Sequence, residues 1–393
     1  MASPLCLPEH AVLLHIGTFK TGTTAIQGAL YQARPELGQH GVLHAGPSRQ
    51  PMQAVLALRN RRPLVGNPTP QIEQWQELVD EVAAAQDLRV VVSSEHFADA
   101  DADIARRAVR ELGGPRVHVV VTLRPLVKIM QSQWQQYVRN RATFTYDEWL
   151  EGMLRKPPYN KPTPTFWQRH RHDALVERWS SIVGPENVTV IVPDDSDRNF
   201  LLRTFEELVG LPSGLLVAEE SSENRSMTLG EIELVRQVNI EARRRQWSDG
   251  LYKQLIRHGF SVYLQTNRIP HADEPRVTTP QWALDQASDI GATAADKIST
   301  LGVRIVGDIS QLGTRASEEP HEAARVNKIM AVDAARDAVL GTLLFTGLTD
   351  DTLVATTSTR DLFRVLLKRA WVRGSGQAGK PPVAADGAGQ GRV

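Results

Sequence analysis

A repeated alternation of short, branched apolar runs with longer amphipathic segments is the feature that most constrains this chain. The apolar runs are VLLHI near residue 14, GVLH near 42, RVVVSS near 91, RVHVVVTL near 119 and NVTVIVP near 190. Between them lie segments with helical spacing of apolar residues, such as QIEQWQELVDEVAAA, DIARRAVREL, DALVERWSSIV and NFLLRTFEELVGL. Strands separated by helices form parallel sheets through right-handed crossovers. The sequence therefore predicts an α/β fold with three layers, αβα, in which helices cover both faces of a mainly parallel central sheet.

From Thr228 onward the chain becomes mainly helical. Thr228 and Glu231 form a capping-box pattern ahead of IELVRQVNIEARRR. The run GVRIVGD near residue 305 is a further strand candidate that extends the sheet or packs at its edge. We divide the chain into a flexible N-terminus at 1–10, an α/β domain at 11–315, a C-terminal helical extension at 316–372 and a disordered tail at 373–393. The tail is rich in Gly, Ala and Pro, with almost no large apolar residue.

Charge and cysteine content narrow the function classes. Lys plus Arg and Asp plus Glu each number 45, so no global field favours nucleic acid or an acidic membrane surface. The single cysteine, Cys6, rules out an intramolecular disulfide or a multi-cysteine zinc site. His170 and His172 have no second ligand pair nearby, so no metal site is predicted. Without a basic leader or a membrane-length apolar run, we expect a cytoplasmic protein with no membrane span.

The first apolar run leads directly into a loop of small and hydroxyl residues, in VLLHIGTFKTGTT. A helical pattern, AIQGALYQA, follows, so the segment is a strand, a loop and a helix. Such a loop turns backbone N–H groups and the positive end of a helix toward one point, where Lys20 adds charge. The predicted occupant is a phosphate-like anion; the alternative is an ordinary turn with a solvated lysine. Lys20 precedes Gly22, which is the wrong order for a Walker loop.

The order G-x-x-K-T-G-T-T after a strand resembles the 5′-phosphosulfate loop of sulfotransferases that use 3′-phosphoadenosine 5′-phosphosulfate (PAPS). That family has a P-loop NTPase-like fold, which the resemblance implies here. It also implies that Lys20 balances charge on the bridging oxygen as the sulfuryl group leaves. The residues expected to cradle the 5′-phosphate are Lys20, Thr21, Gly22, Thr23 and Thr24.

A second stretch, RVHVVVTLRPLVKIMQSQW, runs from a strand into a helix, with Arg124 at the strand end and Ser132 two turns into the helix. A guanidinium fork and a hydroxyl suit a compact dianion. The pair resembles the sulfotransferase 3′-phosphate site, which has an Arg and a Ser at this separation. Here Pro125 follows Arg124 directly, whereas the family usually has Arg-Asp-Pro or Arg-Asn. Alternatively, Arg124 ends a strand and Ser132 faces solvent.

A third stretch, RVVVSSEHFAD, delivers Glu95 and His96 at the end of a strand. Transfer of a sulfuryl group to a hydroxyl or amine needs a base for the acceptor's proton, and either side chain can serve. Alignment with the sulfotransferase strand implies that Glu95 takes the position of the family's base, with His96 next to it. The alternatives are a Glu that caps the next helix and a His paired in the core.

A fourth stretch, ENRSMTLGE, resembles the Asn-x-Ser segment before a late helix in bacterial-type sulfotransferases. The resemblance implies that Asn224 and Ser226 lie near the cofactor, with Arg225 as a possible phosphate ligand. Alternatively, these residues only shape the turn into the capping box.

Together these motifs predict a PAPS-dependent sulfotransferase that needs no metal and modifies a hydroxyl or amine of a small-molecule or carbohydrate acceptor. Nucleic acid is not an expected partner, and no pattern indicates an oligomeric state. The alternative is a P-loop small-molecule kinase or nucleotide hydrolase, which should have the standard Lys spacing and a strand-end Asp for magnesium. A non-catalytic anion-binding module is a third class. The sequence does not identify the acceptor, since acceptor pockets are formed by loops and late helices whose sequences do not specify a ligand.

Overall fold

The computed structural model describes residues 4–60, 69–155, 163, 165–218, 225–316 and 332–345. Within these ranges six strands form one parallel sheet in the order β2-β3-β1-β4-β5-β6. The strands are β1 Val12–His15, β2 Val42–His44, β3 Arg89–Ser93, β4 Val117–Thr122, β5 Val188–Val192 and β6 Arg304–Gly307. All five strands predicted in the first two-thirds of the chain are therefore confirmed. GVRIVGD also forms a strand, at the sheet edge.

The α-helices contain about half of the described residues. They are α1 Thr23–Gln32, α2 Arg34–Leu37, α3 Met52–Leu58, α4 Ile72–Ala84, α5 Ala102–Leu112, α6 Leu126–Arg139, α7 Tyr146–Leu150, α8 Phe166–His170, α9 His172–Val183, α10 Phe200–Val209, α11 Leu229–Arg244, α12 Asp249–Tyr252, α13 Val262–Asn267, α14 Gln281–Thr300 and α15 Val332–Phe345. Two π-helical segments cover Glu151–Arg155 and Lys253–Ser261. None of the helices in these ranges is long and apolar enough to cross a bilayer.

Helices cover both faces of the sheet. On one face, α3, α4, α5, α9 and α14 contribute to an apolar cluster with Trp75, Phe97 and Trp179 among its fully buried side chains. On the other face, α1, α2 and α10 pack around Ile26 and Phe205. These are the three layers of the predicted αβα sandwich, which is consistent with a P-loop-like fold. The short, continuous apolar strands are what burial on both faces requires.

A third apolar cluster is mainly helical. It joins α6, α7 and α8 to α11, α12 and α14, with Trp134, Trp149 and Tyr252 fully buried. Ala338 of α15 also belongs to it. The capping box at the start of α11 is confirmed, because Thr228 and Glu231 bond to each other's backbone N–H groups.

Part of the N-terminal segment, for which the sequence predicts flexibility, packs against the rest of the fold. Leu7 is 2% exposed and joins the cluster around α1 and α10. Its backbone N–H donates to the Leu208 carbonyl at 2.8 Å, and its carbonyl accepts from Arg89. An apolar side chain next to an amphipathic helix is enough to anchor this segment. Of the predicted C-terminal extension, only residues 316 and 332–345 are described, and the predicted tail lies outside the described residues.

The carboxyl end of β1 is the switch point of the sheet. This strand lies between β3 and β4, and the chain leaves it over the α1 face, whereas α5 and α9 lead to β4 and β5 over the opposite face. Ligands of open parallel sheets bind at such a switch point, beyond the carboxyl ends of the strands. The loops that follow β1, β3 and β4 therefore form the candidate site.

Candidate active site

The loop between β1 and α1 presents a row of backbone donors. In the described part of the chain, no group accepts a hydrogen bond from the backbone N–H groups of residues 19–24. Gly22, at the N-cap of α1, has a φ of 92° and no side chain to cap the helix. The first N–H groups of a helix are unsatisfied within the helix and carry its positive dipole end. Such a loop is suited to bind an anion.

Threonine hydroxyls hold this loop in shape. The Thr21 hydroxyl donates to the Thr18 carbonyl at 2.7 Å and lies 2.7 Å from the Thr122 hydroxyl at the end of β4. The Thr23 hydroxyl also donates to the Thr18 carbonyl, at 3.1 Å. The side chains of Thr21 and Thr23 are thus engaged within the loop, so their backbone N–H groups are what they offer to a ligand. Thr24 begins the exposed side of α1.

Gly17 allows the loop to touch the end of β3. Its φ is +81°, and a Cβ at this position would lie 2.8 Å from the Cβ of Glu95. Both the backbone conformation and the contact therefore require glycine. This close approach brings the carboxylate of Glu95 against the loop that carries Lys20.

Lys20 occupies an unusual backbone position. Its φ is 67°, a region that costs a non-glycine residue roughly 1–2 kcal/mol. Burial, together with repulsion from Arg139, lowers the pKa of Lys20 to about 8, while Glu95 acts in the opposite direction. A lysine held in this way, in a loop whose N–H groups have no acceptor within the described ranges, is typical of a functional position.

Glu95 is half-buried and held by Gln27. The Gln27 amide donates to the Glu95 carboxylate at 3.1 Å and to the Ser93 backbone carbonyl at 3.3 Å. Ser93 is in turn 2.8 Å from the ring of His15, which burial keeps neutral by lowering its pKa to about 3. Gln27 therefore orients the carboxylate of Glu95 from the α1 side, and the half-buried carboxylate stays accessible from the other side.

His96 is more enclosed than Glu95. It is 8% exposed, with its ring edge-on to Phe19 at a centroid distance of 5.3 Å. Burial is the main cause that lowers the pKa of His96, and the neighbouring Arg169 adds to it. His96 is therefore neutral at physiological pH, and Glu95 is the more accessible of the two predicted bases.

Two arginines and one aspartate support this strand end. Asp99 accepts hydrogen bonds from both Arg169 and Arg59, and its side chain is 2% exposed. Burial acts to raise the pKa of Asp99, but the two guanidinium groups lower it. The Arg169 guanidinium also lies 3.8 Å from the centroid of the Phe19 ring, in the loop before Lys20. The network thus connects the loop to the turn that carries Glu95.

Arg124 lies at the far side of the site, after β4. The loop joins β4 directly, since the Thr18 N–H donates to the Thr122 carbonyl at 2.8 Å. Arg124 donates to Asp195 at 3.2 Å, and Lys128 donates to the same carboxylate at 2.6 Å. All three side chains are about 40% exposed, so the ion pairs are accessible to a competing anion.

Ser132 and Ser226 lie on neighbouring segments. The half-buried Ser132 donates its hydroxyl to the Ile129 carbonyl at 3.0 Å. One turn further on, Gln135 pairs with both backbone groups of Met227, which places the exposed Ser226 beside α6. Asn224 lies outside the described residues. Arg225 bonds to Glu231, at 2.7 Å, so its charge is already paired within the fold.

Several residues of this site were not predicted from the sequence. Gln27 is a polar residue on the apolar face of α1, and that misplacement was a usable signal. Asp99 and Arg169 are far apart in the chain, and no local pattern indicates that they meet. No group of three or more His, Cys, Asp or Glu residues in the described ranges is arranged to hold a metal ion.

The arrangement brings together an anion-binding loop, a lysine and a carboxylate at one strand edge. The loop donors and Lys20 can stabilise negative charge that develops on a phosphate-like leaving group. The oriented carboxylate of Glu95 can accept a proton from a hydroxyl or amine. Arg124 and Lys128 can bind a second anionic group further along the edge.

Comparisons with known proteins give limited similarity. No family model matches the chain, and no curated protein matches it. Among solved structures, a sulfotransferase from Alicyclobacillus acidocaldarius matches with a TM-score of 0.41 and 19% identity, over 59% of this chain and 95% of its own. This is a partial likeness in fold, and it says nothing about ligands or individual residues.

Proposed function

We propose that this protein is a sulfotransferase that moves a sulfuryl group from PAPS to a hydroxyl or amine of a small-molecule or carbohydrate acceptor. One observation carries the proposal. The loop centred on Lys20, whose N–H groups at residues 19–24 have no acceptor among the described residues, packs through Gly17 against the strand end that holds Glu95. An anion site and a general base in contact are what transfer from a phosphosulfate requires.

In the proposed reaction, the residues of this edge have separate tasks. The N–H groups of residues 19–24 bind the 5′-phosphate, and Arg124 with Ser132 binds the 3′-phosphate. Glu95 removes the proton from the acceptor as a new S–O or S–N bond forms. The bond between sulfur and the bridging oxygen breaks, and adenosine 3′,5′-bisphosphate leaves with the electron pair. Lys20 stabilises the negative charge on that oxygen.

The local charge supports an anionic donor although the whole chain is neutral. Lys20 is repelled by Arg139, and Arg139 is repelled by Arg257, while no carboxylate in the described part of the chain pairs with Arg139 or Arg257. Bringing an anion into this cluster relieves the repulsion. Asp195 is the exception, because it must release Arg124 and Lys128 when a phosphate binds there.

Calorimetric titration with adenosine 3′,5′-bisphosphate, compared with ATP plus magnesium, tests the donor assignment. We expect the bisphosphate to bind more tightly, and Arg124→Ala to weaken it by about tenfold or more, since a charged hydrogen-bond pair is lost. Adenosine 5′-phosphate, which lacks the 3′-phosphate, should bind equally to both proteins. Preference for ATP with magnesium would instead support the kinase alternative, and indifference to Arg124→Ala would refute the 3′-phosphate assignment.

A further inference from the structure

A cavity of about 600 Å³ opens at the carboxyl ends of β2 and β3, on the opposite side of Glu95 from Arg124. The segment 46–54, which follows β2, forms one wall. The other wall is one face of α4, where the lining residues recur with helical spacing as Gln74, Glu77, Leu78 and Glu81. This volume is within the usual range for small-molecule sites.

The cavity wall is bonded to the turn that carries Glu95. The Ser94 hydroxyl donates to the side-chain carbonyl of Gln50 at 3.2 Å, and Ser94 directly precedes Glu95. Along the sheet edge the order is therefore the cavity at β2 and β3, Glu95 at β3, the Lys20 loop at β1, and Arg124 at β4. An acceptor placed in the cavity therefore lies on the opposite side of Glu95 from the Lys20 loop and Arg124.

The wall is pre-formed by contacts that do not involve a ligand. The Gly46 N–H donates to the Glu81 carboxylate at 2.8 Å, and Arg34 donates to the Gly46 and Ser48 carbonyls. The φ of Gly46 is +94°, and a Cβ there would lie 3.1 Å from the Cβ of Pro51. These contacts hold segment 46–54 open against α4, which reduces the ordering cost of binding.

The lining includes acceptors that the fold leaves available, beside the amide donors of Gln50, Gln53 and Gln74. Glu77 is exposed on the rim, and Glu81 uses one carboxylate oxygen for Gly46. The side-chain carbonyl oxygen of Gln53 is buried, and no described group donates a hydrogen bond to it. Arg49 is the one cation among the lining residues, so the two carboxylates leave a net negative lining. Leu78 and the prolines of segment 46–54 provide the apolar floor.

We infer that this cavity binds the acceptor, and that the acceptor is an amine-bearing, hydroxyl-rich small molecule of the amino sugar class. The inference rests on the proposed function. An ammonium group meets the rim carboxylate of Glu77, and hydroxyl or amine donors meet Gln53 and Glu81. Carboxylated or sulfated acceptors are disfavoured by the same groups. The donor and acceptor sites thus have opposite charge preferences on either side of Glu95.

Three hexoses of equal size test the inference: glucosamine, glucose and glucuronate. We expect kcat/KM for sulfuryl transfer from PAPS to fall about tenfold or more from the amine to the neutral sugar, and again to the carboxylate. Glu77→Gln should reduce kcat/KM for glucosamine several-fold and leave glucose within twofold. Glu73→Gln, the same change one turn earlier on α4 and outside the lining, is the matched control.

Binding separates failure of the inference from failure of the proposed function. Saturation-transfer NMR on the protein with adenosine 3′,5′-bisphosphate bound should show glucosamine contacts that Glu77→Gln weakens. If the bisphosphate binds but the three sugars bind and react alike, or if Glu73→Gln has the same effect as Glu77→Gln, the inference is wrong. If the bisphosphate itself does not bind, the proposed function fails, and the inference falls with it.

Discussion

The lowered pKa of Lys20 leads to a quantitative prediction for donor binding. Below pH 8 the lysine is charged and favours the 5′-phosphate, and above pH 8 it loses its proton. With a pKa of about 8, roughly one tenth of the free protein has a charged Lys20 at pH 9 and roughly one hundredth at pH 10. The affinity for adenosine 3′,5′-bisphosphate should therefore fall about tenfold per pH unit above pH 8, until the pKa of the complex is reached.

Calorimetry between pH 7 and pH 10 measures this effect. The second pKa of the ligand's phosphates is about 6, so they are almost fully ionised at pH 8 and above. The fall in affinity expected there therefore reports on the protein. At pH 9 the titration should also show proton uptake, seen as a dependence of the binding heat on the buffer. The uptake should approach one proton, because binding restores the charge of Lys20.

Lys20→Arg is the control that isolates the lysine. A guanidinium keeps its charge throughout this range, so the variant should show neither the fall in affinity nor the proton uptake between pH 8 and pH 10. Affinity of the wild-type protein that stays flat from pH 7 to pH 10 would refute the reasoning. An equal fall in Lys20→Arg would show that another group is responsible.

Three further changes have defined outcomes. Glu95→Gln should cut kcat about a hundredfold or more, as expected for loss of a general base, with bisphosphate affinity by calorimetry within about twofold; retained turnover would exclude Glu95 as the base. Asp195→Asn should raise bisphosphate affinity by about two- to fivefold, because it removes the ion pair that competes for Arg124, and weaker binding would contradict this. Asp99→Asn removes the carboxylate that two buried guanidinium groups share, so the free energy of unfolding from urea denaturation should fall by about 3–5 kcal/mol. A change below 1 kcal/mol would mean that solvent already screens the network.

The strands show how far local pattern reaches. Branched apolar runs such as RVVVS and VHVVVT are buried on both faces of the sheet, and continuous apolar character is the signal of that burial. The cap at Thr228 was also predictable, because a capping box involves residues only three apart. Leu7 shows the limit of this reasoning. The residues around it resemble a loose terminus, and its anchor on Leu208 is about 200 residues away in the chain.

The candidate site was also predictable only in part from the sequence. The position of Lys20 after a buried strand indicated an anion loop, but the roles of its neighbours were not readable. The hydroxyls of Thr21 and Thr23 are turned into the loop rather than toward a ligand. Arg124 was predicted as a phosphate ligand, whereas its pairing with Asp195 depends on the loop after β5. These details depend on which groups lie nearest in space, and a local pattern contains no such information.

By itself, the sequence determined the order of strands and helices, the parallel sheet, and the placement of Lys20, Glu95 and Arg124 at strand ends. Periodicity and turn chemistry act over a few residues, so they can be read directly from the chain. Tertiary structure alone decided that Gly17 touches Glu95, that Asp99 joins Arg59 to Arg169, and that segment 46–54 faces α4 across a cavity. Those relations arise when elements distant in sequence pack together to bury apolar surface, which sets distances that no local rule contains.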